Sequence, residues 1–232
     1  MTEKIKYTRR DLKGPDEFFT AFGRAVAWAK ENTRKMGVGI LGVVALFAIV
    51  LGTRAYLQWE EDKSSLDLWP HLNRAQEFLQ APNEADPEKL ASLEQFLAAH
   101  VKMHPKTRAG VYARYYLGSI AFQRRNFDLS ATQFRAGIAT GKSVGIMEYL
   151  LREGVARALE AKGDYAGAAD AYRDAAQTAQ GEMRAQSLQG EARNLALAGK
   201  KAEAVSLYRK ILQENPETRS RDMIEIQLAQ ME

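Results

Sequence analysis

The stretch from Met36 to Thr53, MGVGILGVVALFAIVLGT, carries no charge and constrains this chain more than any other feature. As a helix its eighteen residues rise about 27 Å at about 1.5 Å each, close to the bilayer hydrocarbon core of about 30 Å. A core helix of a soluble domain would show a polar stripe, and this run has none. A cleaved secretory signal would lie nearer the start, with a small-residue cleavage site close behind it. Here thirty-five residues come first. Arg54 follows, able to snorkel, and then Tyr56 and Trp59, which suit the headgroup layer. The run reads as an uncleaved transmembrane helix, with the anchor extending over 36–59.

Charge gives this anchor a direction. Residues 1–35 hold nine Lys and Arg against five Asp and Glu, a surplus equal to the whole net charge of +4. Lys30, Arg34 and Lys35 stand directly before the span. Beyond it Arg54 and Lys63 are diluted by Glu60, Glu61 and Asp62. A Lys/Arg bias marks the cytoplasmic side, so the expected topology is single-pass, N-terminus cytoplasmic, C-terminal domain periplasmic in a bacterial inner membrane. Confined to the tail, the basic surplus does not point to nucleic acid. Between Asp16 and Asn32, Phe18, Phe19, Phe22, Val26 and Ala29 recur at helical spacing. This is either an interfacial helix on the inner leaflet or a cytoplasmic extension of the anchor.

Motifs for chemistry are missing. No cysteine is present, which excludes disulfides and thiolate catalysis. No phosphate loop, dinucleotide fingerprint or nucleophile elbow occurs. His100 and His104 are four apart, but the sequence HVKMH lacks the metalloprotease glutamate, Pro105 ends the helix and no third ligand is evident. A helix end there favours imidazolium. The reading is not an enzyme, with no catalytic residue, no metal, no cofactor and no small-molecule substrate.

The region after Lys63 is helical, with breaks expected at Pro82, Pro87, Pro105 and Pro216. Leu72, Ala75, Phe78 and Leu79 form one apolar face; Leu90, Leu93, Phe96, Leu97 and Val101 form another, giving a linker and opening hairpin over 60–106. His71, directly after Pro70, reads as a helix start without a role. Self-similarity follows. Small residues at Gly118, Ala156 and Ala192 lie in three first helices. Asn126, Gly163 and Gly199 lie in or near the turns, where a left-handed conformation ends a helix cheaply. Ser130, Ala168 and Ala204 precede Phe134, Tyr172 and Tyr208 by four. The final helix, Arg219 to Met231, shows Ile224, Leu228 and Met231 on one side and reads as a cap.

These residues resemble tetratricopeptide repeats, and the third copy, ending in Asn215-Pro216, fits best. The expected architecture is all-α: a tetratricopeptide-like helical-hairpin solenoid over 107–232, preceded by one transmembrane helix. Tail, span, repeat domain and the segment LEQFLAAH together resemble the ancillary subunit of the bacterial SecYEG translocon. That resemblance implies a membrane-anchored, periplasmic protein-binding adaptor that hands exported proteins to chaperones. Its partners would be the lipid bilayer and other proteins: translocon subunits, periplasmic chaperones or exported clients. The alternative is a structural scaffold for another envelope complex.

Repeat-family geometry implies that the concave, partner-binding positions are Tyr112, Tyr115, Ser119, Phe122, Glu153, Arg157, Gln189 and Arg193. The aromatics either line a groove or fill the junction with the opening hairpin. Arg157 and Arg193, equivalent in successive copies, either meet an acidic peptide or pair within the repeat with Glu153 or Glu191. The Lys and Asn set by which some tetratricopeptide co-chaperones clamp a terminal carboxylate is absent.

Overall fold

The computed structural model describes residues 17–81 and 86–231, with side chains from Phe22 onward. The basic residues up to Lys13, the side chains of Phe18 and Phe19, and the break at Pro82 lie outside the described residues. The described residues form helices α1 (Glu17–Glu31), α2 (Thr33–Gln80), α3 (Pro87–Met103), α4 (Arg108–Gln123), α5 (Phe127–Ala139), α6 (Ile146–Lys162), α7 (Tyr165–Thr178), α8 (Gly181–Leu197), α9 (Lys201–Glu214) and α10 (Arg221–Met231). The chain divides into two compact units, Met1–Leu57 and Gln58–Glu232.

In the first unit the helical hydrogen-bond ladder carries on across Asn32, whose N–H donates to Trp28 O while its carbonyl accepts from Met36 N. One window of α2 is long and apolar enough to cross a membrane, with a mean hydropathy of 2.4, and none of it is buried in the molecule. A soluble core helix would bury that surface. Leu41 and Phe47 are instead about two-thirds exposed, at 69% and 66%. The helix is a candidate span.

In the second unit α2 runs on to Gln80 without a break, so the expected linker is helical. Pro70 sits inside it. Proline deprives the Leu66 carbonyl of its usual donor. Pro70 and Leu66 are both exposed, and Leu68, Leu72 and Ala75 pack on either side and hold the helix together. His71 is therefore not a helix start. Its ring stacks on Phe96 of α3 with centroids 3.6 Å apart. Elsewhere the proline signals are kept. Asp86 caps α3 through Glu88 N at 3.0 Å with Pro87 in the first turn, and Pro105 and Pro216 lie just beyond the ends of α3 and α9.

From α3 onward each helix packs on the next, α3 through α10, in three hairpins (α4/α5, α6/α7, α8/α9) closed by α10. This is the tetratricopeptide-like solenoid. Leu68, Ala75 and Phe78 of α2 join Leu90, Leu93 and Leu97 of α3 and Ala109, Ala113 and Ile120 of α4 in one core, so the opening hairpin extends the stack. At its far end Ile224 of α10 is fully buried among Tyr208, Ile211 and Leu188, as a cap requires.

Two local findings depart from the sequence reading. The left-handed residue of the first turn is Arg125, at φ 61°, not Asn126. It stands where Gly163 (φ 88°) and Gly199 (φ 82°) end their helices. Asn126 caps α5 through Leu129 N instead. An L side chain in this region is strained by about 1 kcal/mol or more, and glycine returns part of that as unfolded-state entropy. Arg125→Gly is expected to stabilise the domain by about 0.5–1 kcal/mol, read as a higher urea midpoint at unchanged slope.

The second concerns His100, which is fully buried. Its Nε2 lies 3.1 Å from Ser64 Oγ of α2, and that oxygen lies 2.8 Å from Thr107 Oγ1, the cap of α4. Burial, with His104 and His71 nearby, pushes the His100 imidazolium down, against a weaker pull from Asp67. The expected helix-end preference for imidazolium is overturned here by desolvation. A lowered folded-state value means that the unfolded chain binds more protons below about pH 6.5. Stability contributed by neutral His100 is complete above that range and is lost as pH falls through the folded value. Urea unfolding at pH 7.5 and 5.5 should show this loss, and His100→Gln should flatten the difference.

Candidate protein-binding cleft

The second hairpin helices carry large rings at a fixed register, and the facing first helices carry glycine. Phe134 of α5 lies between Gly118 of α4 and Gly154 of α6: a Cβ at either glycine would sit 2.7 Å from the ring. Tyr172 of α7 meets Gly190 of α8 in the same way, at 2.7 Å. Gly118 belongs to the sequence pattern. Gly154 and Gly190 lie outside that pattern, yet both stand two residues before the repeat's small residue, and the shared offset is the signal in the sequence that marks them.

Seating Phe134 low between α4 and α6 leaves a cleft of about 190 Å³ above it. Its walls are Tyr115, Ser119, Phe122 and Gln123 of α4, Leu150, Glu153 and Arg157 of α6, and Leu79 of α2. Five of the eight residues expected on the concave face therefore converge here: Tyr115, Ser119, Phe122, Glu153 and Arg157. Tyr115 is half-buried against Phe134 and Tyr116, so it serves the junction and the wall together. The Ser119 hydroxyl donates to the Tyr115 carbonyl at 2.9 Å. Phe122 is half-buried beside Phe127, with the Arg157 guanidinium 5.6 Å from its ring centroid. Burial pushes the Glu153 carboxyl up, and Arg157 pulls it partly back. Tyr112 is 40% exposed and lies outside the cleft.

The other two candidates are used inside the molecule. Gln189 is buried, and its amide nitrogen lies 3.2 Å from the Met223 sulfur of α10. Arg193 does not pair with Glu153 or Glu191. It donates to both oxygens of Glu160, Nε at 2.7 Å and Nη2 at 2.8 Å, reaching back to the preceding repeat. Glu160 also accepts from Tyr172 Oη at 2.8 Å. Burial works to raise the Glu160 carboxyl, but these hydrogen bonds outweigh it and hold it below its ordinary value. Glu191 is taken by Arg173 at 2.7 Å.

No family model matches the chain, and no curated protein matches it. Among solved structures it resembles nearly identical TPR-like repeats from Podosopora anserina, a candidate kinesin light chain. The TM-score is 0.56 at 16% identity, covering 71% of this chain and 84% of that one. This likeness shows the tetratricopeptide-like fold. Stacking of such repeats creates an extended concave surface.

Proposed function

We propose that this chain is a membrane-anchored adaptor that binds proteins on the periplasmic side of a bacterial inner membrane. There it would act at the secretion translocon, in the transfer of exported proteins to chaperones. The observation that carries the reading is the pairing of one unburied apolar helix with a repeat domain whose first junction keeps an open, amphipathic cleft. A tethered binder meets its partner at high local concentration, so a weak cleft suffices. The order of parts and the direction of the charge bias support the translocon assignment and the topology.

The test uses the intact protein in mild-detergent membranes, with a photocrosslinker at Gln123 on the cleft rim. Crosslinks to translocon subunits and to secretory precursors are the expected result. A single other envelope partner would replace this reading with that of a structural scaffold. Release by alkaline carbonate, or protection of the C-terminal domain from protease in opened cells, would remove the anchored, periplasmic reading altogether.

A further inference from the structure

The successive junctions of the solenoid are built on one register but are not closed in the same way. Arg193 and Arg157 are equivalent, each directly following the small residue of its first helix, Ala192 or Ala156. Four residues after the small residue stand Glu160 in the second repeat and, at the same register, Phe122 in the first. At the later junction Arg193 reaches back to Glu160 and closes a two-bond guanidinium–carboxylate pair at 2.7 and 2.8 Å. At the earlier one Arg157 reaches back to the same position and finds the Phe122 ring at 5.6 Å. A ring face accepts no such pair of hydrogen bonds. Among the described residues Arg157 makes no ion pair or hydrogen bond, and its side chain borders the cleft.

The molecule thus shows what a guanidinium at this register takes, and shows one copy without it. Resting on the adaptor reading, we infer that Arg157 binds an aspartate or glutamate side chain of a partner segment lying in the α4–α6 cleft. The incoming carboxylate takes the place that Glu160 fills one repeat later. Bidentate guanidinium–carboxylate pairing is strong and directional, and the half-covered cleft sharpens it. The same walls set the neighbouring residue. Leu79, Phe122 and Leu150 offer apolar surface, so the acidic residue is flanked by an aromatic or aliphatic one. Glu153 sets the limit. It lies in the same cleft and repels a second negative charge, so the segment carries a single acidic residue rather than an acidic run. Among the described residues Arg157 is the one cation on the walls, which suits one side-chain carboxylate.

The experiment measures fluorescence anisotropy on the full chain in nanodiscs. The probe is an end-blocked, labelled octapeptide with one glutamate beside one phenylalanine in a glycine–serine background. Its glutamine counterpart is the control, and a third peptide carries glutamine with a free C-terminal carboxylate. The glutamate peptide is expected to bind about tenfold tighter than the glutamine one, the size of a charge-assisted hydrogen-bond pair. Arg157→Gln should erase that preference. Phe122→Glu should erase it too, by supplying the missing internal carboxylate, while keeping the melting temperature at or above that of the parent. Glu153→Gln should strengthen binding of the glutamate peptide. Equal affinity for the two blocked peptides, no binding of the glutamate peptide, or a preference that survives Arg157→Gln would overturn the inference. Tight binding only of the free-carboxylate peptide would overturn the side-chain assignment. Crosslinking of parent and Arg157→Gln proteins in membranes separates the two levels. Unchanged translocon crosslinks with no peptide preference sink the inference alone; a peptide preference with no translocon crosslinks sinks the adaptor reading alone.

Discussion

Phe134→Ala is expected to cost the repeat domain about 3–5 kcal/mol. The ring is 3% exposed and gripped from both sides, by Gly118 of its own hairpin and Gly154 of the next. Removing it leaves a void where two hairpins meet, and two helices held by their other contacts cannot both close on it. Urea unfolding of the full chain in detergent, followed by circular dichroism, gives the loss as a lower midpoint. Filling the glycines tests the same geometry from the other side. Gly154→Ala gains up to about 1 kcal/mol of helix propensity but loses about 1–3 kcal/mol to the displaced ring. In Gly118→Ala/Gly154→Ala the ring has no free direction, so the double change should cost more than the two singles together. Additive losses would mean that the ring is not clamped.

The second large effect belongs to Glu160. Glu160→Ala is expected to cost about 2 kcal/mol, because it strands the Arg193 guanidinium and the Tyr172 hydroxyl at once. The guanidinium is 43% exposed, so water recovers part of the loss, which keeps the figure below that of a fully buried pair. Its pH dependence has a definite sign. The folded-state value is lowered, so the contribution is complete above the ordinary carboxylate range and is lost as pH falls through the folded value. The stability gap between parent and variant should therefore be full at pH 7 and shrink in acid. A gap that does not change with pH would mean that the carboxylate charge is not what the site uses.

The fold could be read from the chain because its periodicity is strong and local. Small residues facing rings sixteen positions later, at Gly118 and Phe134 and again at Ala192 and Tyr208, can be counted without knowing any contact. The cleft was legible in part for the same reason. Helical spacing places Tyr115, Ser119 and Phe122 together on one face of a helix. What one helix cannot reveal is how its neighbour uses that face. Arg193 was matched with acids in its own repeat, whereas its partner Glu160 lies thirty-three residues earlier and is brought close by stacking. Gln189 has the right register for a groove position, but α10 folds over it with Met223. Pro70 does not break the helix because it lies on the exposed side while both flanks are anchored in a core. His100 was misread because burial, set by the approach of α2, outweighs the helix end.

The way the rings are seated gives the stack a direction. Phe134 and Tyr172 each press forward onto a glycine of the following hairpin, and Tyr208 presses onto the buried face of α10. Cutting the chain after α5 or α7 would bare an aromatic ring, whereas cutting ahead of α6 or α8 would bare the glycine that receives it together with the apolar neighbours on its helix, Leu151 and Val155 of α6 or Leu188 of α8. Both kinds of cut open a core face, so a lone hairpin should be poorly soluble whichever end is removed.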